Sequence, residues 1–102
     1  MINQNGGRNI LKFSQLLDKS VWANDLEIGK IRDLVLDPVE LKLTHLEVQL
    51  RSEATKEVLG AKKSFRNLLS VSALKKDTET ISKRGVELQV SKAQLRIYLT
   101  PP

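Results

Sequence analysis

Cysteine is absent from this 102-residue sequence, and histidine occurs once. Without cysteine the chain has no disulfide framework, no thiolate zinc site and no cysteine nucleophile, which fits a reducing cytoplasm. Aromatic residues make up only 4%, so few rings are available for the base stacking that RNA-binding proteins often use. No apolar run approaches the roughly 20 residues that span a bilayer. We therefore expect a small cytoplasmic domain without an integral membrane segment.

The chain also has little that supports catalysis or metal binding. His45 falls on the outward face of a predicted strand, and zinc or iron sites usually need several converging ligands. Asp33, Asp37 and Glu40 are close in sequence, but carboxylates beside a turn usually shape that turn; a weak divalent-cation site is the alternative. Ser72 lacks the Gly-x-Ser-x-Gly context of a serine nucleophile. We predict no enzymatic activity, no catalytic residue, no cofactor and no metal site.

Positive charge is concentrated in the second half of the chain. Residues 1–50 hold 6 Lys/Arg and 7 Asp/Glu, whereas residues 51–102 hold 11 and 5, and the formal net charge is +5. A basic half favours an acidic partner, such as nucleic acid, an anionic membrane surface or an acidic protein; a solvated lysine-rich surface is the alternative. Phe65 lies within this region, either as a stacking ring or as a core residue. The predicted partner-binding basic surface comprises Lys62, Lys63, Arg66, Lys75 and Lys76.

Alternation of apolar and polar residues with a period of two predicts most of the secondary structure. Leu43–Leu50 alternates cleanly, with Leu46, Val48 and Leu50 on one face. The alternation over 28–36 is broken, which predicts a strand with a bulge or strong bend. Residues 86–90 and 94–99 read as two regular strands joined in a hairpin. Residues 13–17 form a short helical turn, and the charged segment 51–67 fits a long loop or a short helix followed by an edge strand.

This pattern gives five or six short strands at spacings typical of a small barrel or sandwich. We predict an all-β fold, a small and mostly antiparallel β-barrel with a short helical turn near the N-terminus. Residues 1–11, which are polar and contain glycine, form a flexible tail. A single domain follows over residues 12–100.

Three segments resemble the PRC-barrel family. They are Phe-Ser-Gln-Leu-Leu-Asp-Lys-Ser-Val at 13–21, Ile-Gly-Lys-Ile-Arg-Asp-Leu-Val-Leu-Asp at 28–37 and Leu-Ser-Val-Ser-Ala-Leu-Lys-Lys at 69–76. The corresponding family patterns are Ser-x-Leu-Leu-Gly-Lys-x-Val, Ile-Gly-x-Val-x-Asp and Val-Pro-Val-Ser-Ala-Ile, and the resemblance covers roughly residues 13–99. The chain departs from the family at Asp18, where the family has glycine, and at Ser70, where it has proline.

The resemblance implies a PRC-type barrel with Leu16, Leu17 and Val21 at one end, a close backbone approach at Gly29 and a turn shaped by Asp37. The family includes ribosome-maturation factors that bind a ribosomal protein, the cytoplasmic part of a photosynthetic reaction-centre subunit, and stand-alone archaeal barrels associated with cell division. Because this chain has no room for a second domain, it is most similar to the stand-alone archaeal type. That type implies a non-catalytic adaptor or scaffold in a cell-division assembly. The alternative is a ribosome-maturation or RNA-processing factor that binds a ribosomal protein or RNA.

The predicted last strand, 94–99, carries one further expectation. An exposed terminal strand is a template for pairing with another chain, and this one has a single charge before the prolines that follow Thr100. We predict a homodimer, since two-fold symmetry is the commonest oligomer symmetry; ordinary closure of the barrel is the alternative. The self-association residues are Leu95, Arg96, Ile97, Tyr98 and Leu99.

Overall fold

The computed structural model describes residues 12–60, 65–75 and 81–102. The predicted flexible tail over residues 1–11 lies outside the described residues, as do Lys62, Lys63 and Lys76 of the predicted basic surface. The elements of the described ranges are, in chain order, α1 Phe13–Leu16, β1 Ser20–Ala23, β2 Leu26–Leu36, β3 Leu43–Leu50, α2 Ser52–Leu59, β4 Arg66–Ser70, a 3₁₀ turn Val71–Ala73, β5 Ile81–Ser82, β6 Gly85–Leu88, a 3₁₀ helix Lys92–Tyr98 and β7 Leu99–Thr100.

The strands form one mixed sheet in the order β5-β6-β1-β2-β3-β4-β7. β1 and β6 run parallel, and the other neighbouring strands run antiparallel. The prediction of a β-rich, mostly antiparallel fold is confirmed. The predicted closed barrel of five or six strands is wrong for the described residues, because seven strands are present and the two-residue strands β5 and β7 stand at opposite edges.

The hairpin of β2 and β3 is the centre of the sheet and follows the sequence pattern closely. Leu46, Val48 and Leu50 are buried, as their alternation predicts. The pairing register shifts between Ile31 and Asp33 and once more near the end of β2. These irregularities confirm the predicted break, because a bulge moves later side chains to the opposite face of the strand.

Gly29 marks the closest approach between β2 and β3. A Cβ atom on this residue would lie 2.3 Å from the backbone oxygen of Gln49, well inside van der Waals contact. Glycine is therefore required here because no side chain fits between the two backbones. This confirms the close approach expected at that position.

The segment between β3 and β4 contains a helix. Ala54 and Val58 of α2 are buried in the core, and the helix ends at Gly60, whose φ of 73° is left-handed. Glycine adopts this conformation readily at helix C-termini. Of the two alternatives for residues 51–67, the short helix followed by a strand is confirmed, although β4 lies inside the sheet between β3 and β7.

The predicted strand over 94–99 is wrong. These residues belong to the 3₁₀ helix and to the start of β7, and β6 pairs with β1 and β5 instead of forming a hairpin with them. The side chain of Gln94 accepts a hydrogen bond from the backbone N–H of Ser91 at 3.1 Å, which ties the first turn of the helix. Leu95 and Tyr98, three residues apart, both face inward. This spacing suits a 3₁₀ helix, whereas in a strand it would place the two side chains on opposite faces.

The helices of the described residues are short. α1 confirms the predicted helical turn near the N-terminus, and none of the described helices is long and apolar enough to cross a membrane. Of the residues expected to plug a barrel end, Val21 is fully buried and Leu16 is half-buried against the core, whereas Leu17 is exposed.

Candidate functional site

The two described members of the predicted basic surface lie in different parts of the sheet. Arg66, on β4, lies beside Gln49 of β3, and its guanidinium is 3.5 Å from the carboxylate of Glu47. Lys75 is half-buried, and its backbone N–H donates to the carbonyl of Glu87 at 3.2 Å. Arg66 and Lys75 therefore do not form a single basic patch among the described residues.

The polar face of the sheet carries a network of paired charges. Arg32 donates to the side chain of Gln49 at 2.9 Å and is paired with Asp18, while Arg51 lies 3.1 Å from the carboxylate of Glu27. Because each arginine has an acidic neighbour, the face presents alternating charge, and exposed pairs of this kind add little stability. An open cavity of about 240 Å³ lies among these side chains.

A second network joins the β5–β6 turn to β1. The guanidinium of Arg84 lies 4.2 Å from the centre of the Trp22 ring, and the indole N–H donates to the Arg84 carbonyl at 2.9 Å. Hydrogen bonds from Arg84 lower the pKa of the Glu87 carboxyl to about 2; burial opposes this lowering, and a hydrogen bond from Ser82 adds to it. We interpret this network as structural, because its donors and acceptors are occupied by one another.

The residues considered for catalysis or metal binding make local hydrogen bonds. Asp37 accepts backbone hydrogen bonds from Val39 at 2.8 Å and Glu40 at 3.3 Å, and Asp33 accepts one from the next residue. The ring of His45 contacts only the hydroxyl of Thr44 among the hydrogen-bond partners described, at 3.0 Å. Across the described ranges, no three His, Cys, Asp or Glu side chains are grouped closely enough to hold a metal ion.

The loop between β2 and β3 exposes apolar side chains. Val39 is 88% exposed and Leu41 is 74% exposed, and Leu36 at the end of β2 is also exposed. We call Leu36, Val39 and Leu41 the apolar tip. Two backbone hydrogen bonds close the loop, since Asp37 N–H donates to the carbonyl of Lys42 and Leu41 N–H donates to the carbonyl of Asp37.

Leu41 has an unusual backbone conformation. Its φ of 57° lies in the left-handed region, which is favourable for glycine and tolerated by asparagine or aspartate, but not favoured by leucine. The sequence analysis did not select this residue. The available signal was the occurrence of two aliphatic residues in a six-residue turn, Asp-Pro-Val-Glu-Leu-Lys, where polar residues are usual.

A second apolar surface lies beside β4 and β7. A cavity of about 400 Å³ is present here, and we call it the β4–β7 pocket. Phe65 in its wall is 45% exposed. The pocket is lined by Leu59, Phe65, Arg66, Asn67, Pro101 and Pro102.

Asn67 is the unusual member of this pocket. It is only 7% exposed, yet no hydrogen bond to its side-chain amide is found among the described residues. Buried amides without a partner are uncommon because their desolvation is not compensated. The pocket thus combines mostly apolar walls with one buried polar group that has unused hydrogen-bonding capacity.

The apolar tip and the β4–β7 pocket lie at opposite ends of β3. The loop that carries the tip leads directly into Leu43, whereas Phe65 accepts a backbone hydrogen bond from Leu50 at the other end. A strand of this length spans roughly 24 Å at about 3.4 Å per residue. One molecule therefore cannot place its own tip in its own pocket.

The five predicted self-association residues do not form one exposed surface. Leu95 is buried, Tyr98 is half-buried, and Leu99 pairs with Leu69 of β4. The guanidinium of Arg96 donates to the carbonyl of Val58 at 2.9 and 3.1 Å, so it holds the 3₁₀ helix against α2. Of these five, Ile97 alone presents an apolar side chain to solvent, at 78% exposure.

No protein-family model matches the chain, and no curated protein shows significant similarity to it.

Proposed function

We propose that this chain is a non-catalytic protein-interaction module, an adaptor or scaffold that binds a protein through the apolar tip. The observation that carries the proposal is the conformation and exposure of Leu41. A leucine in the left-handed region costs roughly 1–2 kcal/mol, and an exposed side chain returns little of this through burial in the fold. A partner that covers Leu41 and Val39 would give both residues a function.

The motif resemblance supports a more specific proposal. We propose a divergent PRC-barrel relative of the stand-alone archaeal type, acting in the cytoplasm as part of a cell-division assembly. One matched position and one position that departs from the family pattern support it through their backbones. Gly29 has the close approach that requires glycine, and Asp18, where the family has glycine, has a left-handed φ of 65°.

The alternative is a ribosome-maturation or RNA-processing factor. It is supported by the net charge of the second half, by the exposure of Phe65 and by the adjacent Arg66. A base could stack on such a ring beside a cation. We favour a protein partner because Arg32, Arg51 and Arg66 each face a carboxylate within the molecule, which reduces their attraction for phosphate.

The test is quantitative affinity capture from a lysate of the source organism. Wild-type protein would be compared with the double variant Val39→Asp/Leu41→Asp. Ile97→Asp is the control, because it places the same acidic side chain, at one position instead of two, on a comparably exposed aliphatic residue outside the tip. We expect the tip variant to recover its partners at least about tenfold less well, since tenfold corresponds to only about 1.4 kcal/mol. The control should recover the same partners as wild type.

The captured material also separates the candidate functions. Division-ring components that survive ribonuclease treatment would support the cell-division proposal. Ribosomal proteins and RNA that disappear after ribonuclease treatment would support the alternative. Equal recovery of every partner by wild type and by the tip variant would contradict binding through the apolar tip.

A further inference from the structure

We infer that the apolar tip binds the β4–β7 pocket of a second copy of this chain, so that copies associate head to tail. The inference rests on the proposed function, because it names the occupant of the same surface. It follows from two surface features that complement each other in polarity and position.

The pocket has the character of a receptor for a peptide loop. Its volume of about 400 Å³ falls within the range of roughly 300–1,000 Å³ that is usual for ligand pockets. Leu59, Phe65 and the two prolines provide an apolar wall. The buried amide of Asn67 provides one polar group, and such a group usually orients a ligand through a hydrogen bond.

The tip offers the matching groups. Val39 and Leu41 are exposed aliphatic side chains on one short loop. Among the hydrogen bonds of the described residues, none is accepted by the backbone carbonyls of Val39 and Glu40, so either can accept from the amide of Asn67. The exposed carboxylate of Glu40 would lie near Arg66 at the rim; because Arg66 already lies 3.5 Å from the Glu47 carboxylate, this contact would orient the loop more than it would add affinity.

The position of the two surfaces determines the kind of assembly. Because they lie at opposite ends of β3, the contact must be between molecules, and in the head-to-tail arrangement that we infer each added copy leaves one tip and one pocket free. Such heterologous contacts produce rings or open filaments. This arrangement differs from the two-fold dimer expected from residues 94–99, in which both copies use the same surface. A loop-in-pocket interface is small, so we expect weak association that increases with local concentration.

The experiment is sedimentation velocity of the purified full chain at concentrations up to about 1 mM, a range suited to small interfaces. Three variants would be compared: the tip variant Val39→Asp/Leu41→Asp, the pocket variant Phe65→Asp and the control Ile97→Asp. Circular dichroism confirms that each variant is folded. Arg66→Glu replaces Phe65→Asp if the latter does not fold, because Arg66 is exposed at the pocket rim.

We expect wild type and the control to grow beyond the dimer as concentration rises, and each of the other variants to remain monomeric. An equimolar mixture of the tip and pocket variants should form a dimer and stop there, because only one intact tip and one intact pocket are present. A monomeric wild type, a wild type that stops at the dimer, or a mixture that does not associate would overturn the inference.

These results are separable from those of the proposed function. A monomeric wild type whose tip variant still loses its captured partners would reject self-assembly and leave the proposed function standing. A wild type that assembles through the tip, while the tip variant captures every other protein as well as wild type does, would support the inference and contradict the binding of a different protein at the tip.

Discussion

The guanidinium of Arg84 donates hydrogen bonds to both carboxylate oxygens of Glu87, at 2.8 and 3.0 Å. The Glu87 side chain is 10% exposed, so its charge is compensated mainly by this contact and by Ser82. These interactions lower the pKa of Glu87 to about 2 in the folded protein. In the unfolded chain an ordinary glutamate has a pKa of roughly 4.3. The folded state therefore gains stability from ionised Glu87 above about pH 4.3, and this gain is lost as the pH falls toward 2.

We predict that Glu87→Gln lowers the free energy of unfolding at neutral pH by about 1–3 kcal/mol, the usual worth of hydrogen bonds to charged groups. The deficit should shrink between about pH 4.3 and pH 2, where wild type loses the same contribution. Urea unfolding at a series of pH values measures both effects. Glu53→Gln is the control, because Glu53 is exposed and 3.8 Å from its partner. A deficit that stays constant down to pH 2 would show that Arg84 does not stabilise the ionised carboxylate.

The second prediction concerns Gly29. Gly29→Ala should destabilise the fold by about 3 kcal/mol or prevent folding, because overpacking usually costs 1–3 kcal/mol and here the obstacle is backbone. Gly60→Ala is the control: apart from its chain neighbours and its own helix backbone, no atom of the described residues lies within 4 Å of the added Cβ, although φ is 73°. We expect that control to lose about 1–2 kcal/mol from the left-handed conformation alone. Thermal unfolding that ranks Gly60→Ala as the more damaging change would refute the close approach of β2 and β3.

The hairpin of β2 and β3, which contains Gly29, shows which features of the fold can be predicted from the sequence. In β2 and β3 the local signals agree: alternation marks the buried face, the broken alternation marks the bulge, and Asp37 marks the turn. These features depend on residues close in sequence. The order of the strands depends on residues that are far apart in sequence. The parallel pairing of Val21 with Val86, for example, joins segments 65 positions apart, and no local sequence pattern indicates it.

Residues 94–99 show how two periodicities can be confused. Leu95, Ile97 and Leu99 alternate as in a strand, while Leu95 and Tyr98 also have the three-residue spacing of a 3₁₀ helix. The deciding signal was Ser91 followed three residues later by Gln94, which begins helices because the glutamine side chain can accept from the first backbone N–H. The candidate site was harder to predict. The left-handed conformation of Leu41, and the lack of a hydrogen bond to the Asn67 side-chain amide among the described residues, can be recognised only from the fold.

The third prediction separates stability from assembly at Leu41. Leu41→Asn should leave the free energy of unfolding unchanged or raise it by up to about 1 kcal/mol, because asparagine tolerates the left-handed region better than leucine. The same variant should show reduced self-association by sedimentation. Val39→Asn, equally polar and also in the loop, should change stability by less than about 0.5 kcal/mol, as is usual for exposed positions. A clear loss of stability in Leu41→Asn would mean that the leucine side chain supports the fold.

The fourth prediction concerns the buried amide of Asn67. Leucine is similar in shape to asparagine and needs no hydrogen bond, so Asn67→Leu should raise the free energy of unfolding by about 1–2 kcal/mol by removing an uncompensated polar group. Self-association should nevertheless weaken, because the donor to the incoming loop is lost. Asn67→Asp, which keeps the shape but adds a buried charge, should lower stability. Chemical unfolding and sedimentation of the same samples provide both measurements.

These outcomes test the role of Asn67 because stability and binding are expected to change in opposite directions. If Asn67→Leu is less stable than wild type, the amide already has a partner within the folded chain, and its unused hydrogen-bonding capacity no longer supports a receptor pocket. If the variant is more stable and associates as strongly as wild type, the tip enters the pocket without using the amide. If Asn67→Leu is more stable and associates more weakly than wild type, the Asn67 amide has no partner within its own chain and binds the tip of a second copy.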